Sequence, residues 1–193
     1  AASGWTNYQI DHTREGSNTP FLGRFTNGYT TLTLGCLPVN SYLTLSFDVY
    51  ILGSMDGNAI YNDTGRNGPG PDVMRFLAAD PRATDPVKEG DLLLQTTFTN
   101  WSFFKQAFPG AYPGGSFPYR TGASAKDSLG FDYTGILMDA TYRVNLTFFN
   151  TRETQVFVFS GSGMQPLADE SWGINNVTIY PTTPIYLPVI NLH

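Results

Sequence analysis

Oxygen-bearing side chains crowd three short stretches of this chain. Ser54-Met55-Asp56-Gly57-Asn58 opens a polar, Gly-rich run and Gly70-Pro71-Asp72 closes it. Asp169-Glu170-Ser171-Trp172-Gly173-Ile174-Asn175-Asn176 lies far downstream. Calcium takes about six to eight oxygens from carboxylates, amides and carbonyls, and a glycine lets the backbone wrap around it. Asp56, Asn58, Asp72, Asp169 and Glu170 are therefore candidate metal ligands, with Ca2+ as the cofactor. The same residues could simply occupy turns and strand ends. The D-x-D-x-D-G spacing of an EF-hand is absent.

A second group is aromatic. Trp101, Phe103, Phe104, Tyr112, Phe117 and Tyr119 fall in or beside stretches dense in Gly and Pro. Flat rings stack on the apolar C–H faces of sugars, while Asn, Asp and Arg bond the hydroxyls. Trp101, Phe104, Tyr112 and Tyr119 are the candidate glycan-binding set. Alternatively, the rings cover the open end of a sandwich.

Catalysis has little to work with. The histidines are His12 and His193, and Cys36 is the lone cysteine. That argues against nucleophile–His mechanisms, disulfides and cysteine zinc clusters. Paired carboxylates cleave glycosides at separations of about 5–10 Å. Asp169 and Glu170 are adjacent, which sends their side chains apart, and no Glu-x-Asp-x-x-Glu pattern occurs. The expectation is a non-enzyme, with His12 in a loop and Cys36 a small buried residue of a strand.

The elements that must position these residues read as strands. Of 193 residues, 15% are aromatic and only 14% charged, against about 25% charged in an average soluble protein. Thr, Tyr, Phe, Val and Gly dominate where helix surfaces need Glu and Lys. The net charge of −5 disfavours nucleic acid, and no apolar run reaches the ~18 residues of a membrane span. Leu43, Leu45, Phe47, Val49 and Ile51 alternate with Thr44, Ser46, Asp48 and Tyr50, predicting one buried and one wetter face. Tyr142, Val144, Leu146 and Phe148 alternate likewise. Further strands are predicted near 72–78, 92–99, 155–160 and 172–180, with a lead-in loop over 1–28 carrying one strand near Trp5–Ile10. The fold class is all-β: an antiparallel two-sheet β-sandwich, jelly-roll-like. The organisation is an N-terminal segment (1–21), the sandwich (22–180) and a Pro-punctuated apolar tail (181–193).

Four N-x-Ser/Thr sequons place possible glycans at Asn62, Asn100, Asn145 and Asn176. The chain begins Ala1-Ala2-Ser3, as after removal of a signal peptide or trimming.

Leu22-Gly23-Arg24-Phe25, Phe47-Asp48-Val49-Tyr50-Ile51, Ser54-Met55-Asp56-Gly57-Asn58, Gly70-Pro71-Asp72, Thr97-Phe98-Thr99-Asn100 and Asp169-Glu170-Ser171-Trp172-Gly173 together resemble a family of secreted bacterial lectin-like β-sandwich domains. The resemblance runs from about residue 22 to residue 180. It implies an extracellular or cell-surface location and a sandwich fold. The family's pattern carries Trp where this chain has Met55, and Asp where it has Asn175. The second change would remove one charge from the cation site.

Two functions follow. One is a structural or filament-forming surface subunit, joined to neighbouring copies when the apolar tail Ile185-Tyr-Leu-Pro-Val-Ile190 adds to a sheet edge. The other is a calcium-stabilised adhesive module that binds extracellular glycan.

Overall fold

The computed structural model describes residues 4–60 and 70–182. In chain order the strands are β1 (Trp5–Thr6), β2 (Ile10–His12), β3 (Pro20–Phe25), β4 (Gly28–Leu34), β5 (Ser41–Gly53), β6 (Val73–Ala79), β7 (Asp91–Thr97), β8 (Lys105–Gln106), β9 (Phe117–Pro118), β10 (Ala125–Lys126), β11 (Asp132–Tyr133), β12 (Ile136–Leu137), β13 (Asp139–Asn150), β14 (Gln155–Ser162) and β15 (Glu170–Pro181). One helical turn, α1 (Pro86–Glu89), is started by the Asp85 carboxylate, which accepts from the N–H groups of Val87 and Lys88.

The fold is an antiparallel β-sandwich. One sheet runs β1-β4-β14-β6-β7 and the other β10-β13-β5-β15-β3-β2. From β3 onward the long strands cross repeatedly between the sheets, the winding of a jelly roll. The period-two pattern of β5 makes this work. Leu43, Leu45, Phe47, Val49 and Ile51 are buried and meet the facing sheet, where the Phe47 ring lies 4.9 Å from Phe76 and 5.1 Å from Phe159. Tyr142 and Val144 are buried beside them, and Leu146 and Phe148 pack at the margin.

Three local expectations are corrected. The second face of β5 is not wet: Thr44, Ser46, Asp48 and Tyr50 are all buried. β5 lies between β13 and β15, and a second apolar cluster of Phe21, Tyr50, Leu52, Leu129 and Phe131 covers part of its outer face. The lead-in carries not only a strand at Trp5–Thr6 (β1, on one sheet) but also β2 and β3 on the other, and His12 ends β2 instead of lying in a loop. Cys36 is exposed, just past β4, in a left-handed conformation that ends the strand.

The excursion between β7 and β13 is organised by polar clamps. Asn100 is buried and its Nδ2 donates to the carbonyls of Gly53, Ile51 and Met138, at 2.9, 3.3 and 3.3 Å. Its Oδ1 accepts from Nε of Arg120 at 3.0 Å, and Arg120 holds Asp127 through two bonds of 2.7 Å. The buried Asp139 carboxylate accepts from the N–H groups of Ser128, Leu129 and Phe131, fixing the loop that carries the Phe131 ring.

Candidate functional site

The candidate site sits where β5 ends and the chain turns toward residues 54–58. Two glycines make that turn possible. Gly53 has φ +82°, and a Cβ there would stand 1.8 Å from the Asp169 carbonyl oxygen. Gly57 has φ +63°, and a Cβ there would stand 2.4 Å from the Lys105 carbonyl oxygen. Both positions favour the one residue without a Cβ. The segment is thereby pressed against residues 169–170 on one side and against the aromatic excursion on the other.

Four carboxylates gather on the first side. The Ser54 hydroxyl donates to Asp169 Oδ1 and, at 3.4 Å, to Glu170 Oε1. Glu170 also accepts from the backbone N–H of Gln165 at 2.6 Å. The N–H of Asp56 donates to Asp72 Oδ2. The other oxygen, Asp72 Oδ1, is buried without a hydrogen-bond partner. Asp56, Asp72 and Glu170 are buried, and Asp169 is half-buried. Among the described residues no Lys or Arg forms an ion pair with any of the four.

Electrostatics follow from that arrangement. Burial, then the charge of Asp169, pushes Asp56 up to about 6. Burial and the nearby Glu170 charge raise Asp72 well above the usual carboxylate range. Burial, with the charges of Asp56 and Asp169, also raises Glu170 against the pull of its Gln165 hydrogen bond. Like charges are held together in a dry place, which a hard divalent cation would relieve. The carboxylates alone do not make a cage: among the described residues no three His, Cys, Asp or Glu groups converge tightly enough to hold a metal. A calcium ion would need Ser54 or backbone carbonyl oxygens as well, and the unpartnered Asp72 Oδ1 is the atom that fits it best.

Asn58 stands apart from this group. Its Nδ2 donates to the Gly115 carbonyl at 2.9 Å and its Oδ1 accepts from the Thr97 hydroxyl. It ties the turn to the aromatic excursion. Asn175 also lies elsewhere, so the expectation that its missing charge weakens the cation site is corrected. On β15 it pairs with Asp48, whereas Glu170 pairs with Gly53. Five residues of strand, roughly 16 Å, separate them. Its Nδ2 donates to the Tyr50 hydroxyl at 3.0 Å.

On the second side is a cleft of about 240 Å³, lined by Asn58, Phe103, Phe104, Lys105 and Ser116 together with Ala59 and Ile60. Phe103 is 47% exposed. It stacks on Trp101 with centroids 5.0 Å apart and meets Phe104 edge-on at 4.6 Å. Trp101 in turn touches Tyr133 edge-on. Of the expected glycan-binding set only Phe104 lines this cleft, and it is mostly buried as a wall. Trp101 is outside the lining and stacks on Phe103. Tyr112 is half-buried, its backbone exchanging hydrogen bonds with Gln95, and Tyr119 is exposed outside the cleft. Phe103 is the most exposed ring of the lining; its exposure depends on how the excursion folds, which residue type does not reveal.

The sequons divide. Asn145 points outward from β13 and is exposed. Asn176 is exposed, but its Nδ2 donates to Asp48 at 2.6 Å. Asn100 is corrected: its buried amide, bonded on both sides, has no room for a glycan. Asn62 and the tail from residue 183 onward lie outside the described residues, so the tail's docking on a sheet edge stays an expectation. Among the described residues no helix is long and apolar enough to cross a membrane.

No protein-family model matches this chain, and no curated protein sequence matches it. Among solved structures it is similar to one described as "CBM4 structure and function", at 7% identity and a TM-score of 0.38, covering 92% of this chain and 79% of that one. It is also similar to a carbohydrate binding module, CBM6cm-2, from Cellvibrio mixtus lichenase 5A in complex with cellotriose. There the identity is 10% and the TM-score 0.38, with 94% of this chain and 92% of that one covered. The functional reading of this chain rests on its own side chains.

Proposed function

We propose that this chain is a non-catalytic carbohydrate-binding module whose 54–58 turn is braced by calcium. The observation that supports it is the partly exposed Phe103 ring, stacked on Trp101 and set in a cleft that the polar residues Lys105 and Ser116 also line. An apolar ring face flanked by polar donors matches the amphipathic surface of a sugar. At about 240 Å³ the cleft is smaller than the roughly 300–1,000 Å³ that enclose a drug-sized ligand. It suits one sugar ring, with the remainder of the glycan in solvent.

Calcium is supported by Asp72 Oδ1, buried without a partner among like charges. The burial of Asp56, Asp72 and Glu170 favours a bracing ion over a hydrolytic pair, because a glycosidic oxygen must reach the carboxyl that protonates it. An extracellular setting goes with this reading.

The test is affinity electrophoresis and calorimetry against a panel of polysaccharides and oligosaccharides, with wild type and Phe103→Ala. Binding by the wild type that Phe103→Ala abolishes, with the melting midpoint retained, is the expected result. No binding to any member of the panel, or binding indifferent to Phe103, overturns it.

A further inference from the structure

A second cleft, of about 350 Å³, opens where the N-terminal strands meet the 127–138 excursion. Arg14, Arg24, Phe131, Asp132 and Thr134 are among the residues that line it. The Arg14 guanidinium carbon lies 4.4 Å from the centre of the Phe131 ring and that of Arg24 lies 5.1 Å from it. The ring cannot drift. The Phe131 backbone N–H donates to Asp139 Oδ2 at 3.1 Å, and the ring meets Phe21 edge-on. Arg24 is anchored further, with Nε donating to the Ser171 hydroxyl at 2.9 Å and Nη2 to the Leu167 carbonyl.

Two guanidinium groups thus converge on one aromatic ring in a chain of net charge −5. Among the described residues neither has a carboxylate within ion-pair distance, and Asp11 is the opposite charge that Arg24 feels most. Nη1 of Arg24 and all the side-chain donors of Arg14 have no protein acceptor among the described residues. Planar guanidinium groups fixed by stacking are suited to grip a carboxylate. The remaining polar lining residues name the rest of the ligand. Asp132 spends Oδ2 on the N–H of Gly135 at 3.0 Å and keeps Oδ1; with the Thr134 hydroxyl it can take sugar hydroxyls. Its negative charge also disfavours a doubly charged phosphate.

We infer that the Arg14–Arg24 cleft binds the carboxylate of a uronic acid, giving the module a second subsite selective for acidic glycans. The anion site stands on its own geometry, while its assignment to a sugar rests on the carbohydrate-binding reading. Arg14 is exposed, so Arg14→Glu tests the site without disturbing the core. Calorimetry would compare an oligogalacturonide, its methyl ester and a glutamate-rich peptide of the same charge, using wild type, Arg14→Glu and Phe103→Ala. The expected result is oligogalacturonide binding that weakens about tenfold or more in Arg14→Glu, the scale of a lost charged hydrogen bond. The melting midpoint should not move, and the methyl ester should bind wild type as weakly as the acid binds the variant. Unchanged binding in Arg14→Glu, or equal binding of acid and ester, overturns the anion site. Equal affinity for the peptide overturns its assignment to a sugar. Oligogalacturonide binding that depends on Arg14 but not on Phe103, with no neutral glycan bound, leaves this site standing and removes the Phe103 cleft alone.

Discussion

The N–H of Asp56 donates to one oxygen of the Asp72 carboxyl and leaves the other oxygen buried with nothing to bond. An ionised carboxyl so placed is costly, and the cost is largest when further carboxyls surround it. A cation bound only by the folded state offsets it.

Calcium at about a hundred times its dissociation constant should therefore raise the melting midpoint by about 5–10 °C over chelated protein. Asp72→Asn should abolish that rise. Differential scanning calorimetry with and without chelator reads both, and a wild-type midpoint indifferent to calcium ends the proposal.

The same cluster sets a pH dependence. With Asp56 moved from 3.8 to about 6 and Asp72 and Glu170 also raised, the calcium-free folded state keeps protons that the unfolded chain has lost. The cluster's contribution to stability is fully present below about pH 4 and falls as pH rises through 6, by at most roughly 3 kcal/mol from Asp56 before solvent screening. Calcium competes with those protons, so its stabilisation grows across the same window. Denaturant melts in chelator at pH 5 and pH 8 test the sign.

Asn100→Ala should be among the most damaging single changes in the molecule. It leaves the Gly53, Ile51 and Met138 carbonyls without this donor and deprives Arg120 of an acceptor. A loss of about 2–4 kcal/mol is expected, measured by urea unfolding. In a glycosylating host, glycopeptide mapping should find sugar at Asn145 and none at Asn100.

Phe103 and Phe104 are neighbours with opposite duties. Phe104→Ala removes a buried wall and should cost about 3 kcal/mol or more. Phe103→Ala removes a half-exposed ring and should leave stability within about 1 kcal/mol while losing glycan. Paired melts and binding isotherms separate the two.

The sandwich was legible because β5 and β13 alternate so cleanly that only paired strands could bury both inner faces. The carboxylates were legible as a group because glycines flank them at fixed places. What could not be read was long-range. Nothing at Asn100 announces that three carbonyls from two distant segments close on it. Arg14 and Arg24 lie in a stretch of weak periodicity, and it is Phe131, a hundred residues later, that brings them together. The exposure of Phe103 against the burial of Phe104 depends on where the 107–124 excursion lies, not on residue type.

The central strand has both its ladder partners far downstream: Leu45 pairs with Leu146 on β13 and with Ile179 on β15. As the chain is synthesised, β5 emerges with an unbroken apolar face and two open edges; the first must wait for β13, from residue 139, and the second for β15, from residue 170. Such topologies fold slowly and expose sticky surface while they do. Truncation before β15 should give aggregate rather than a smaller domain, so this sandwich is acquired all at once or not at all.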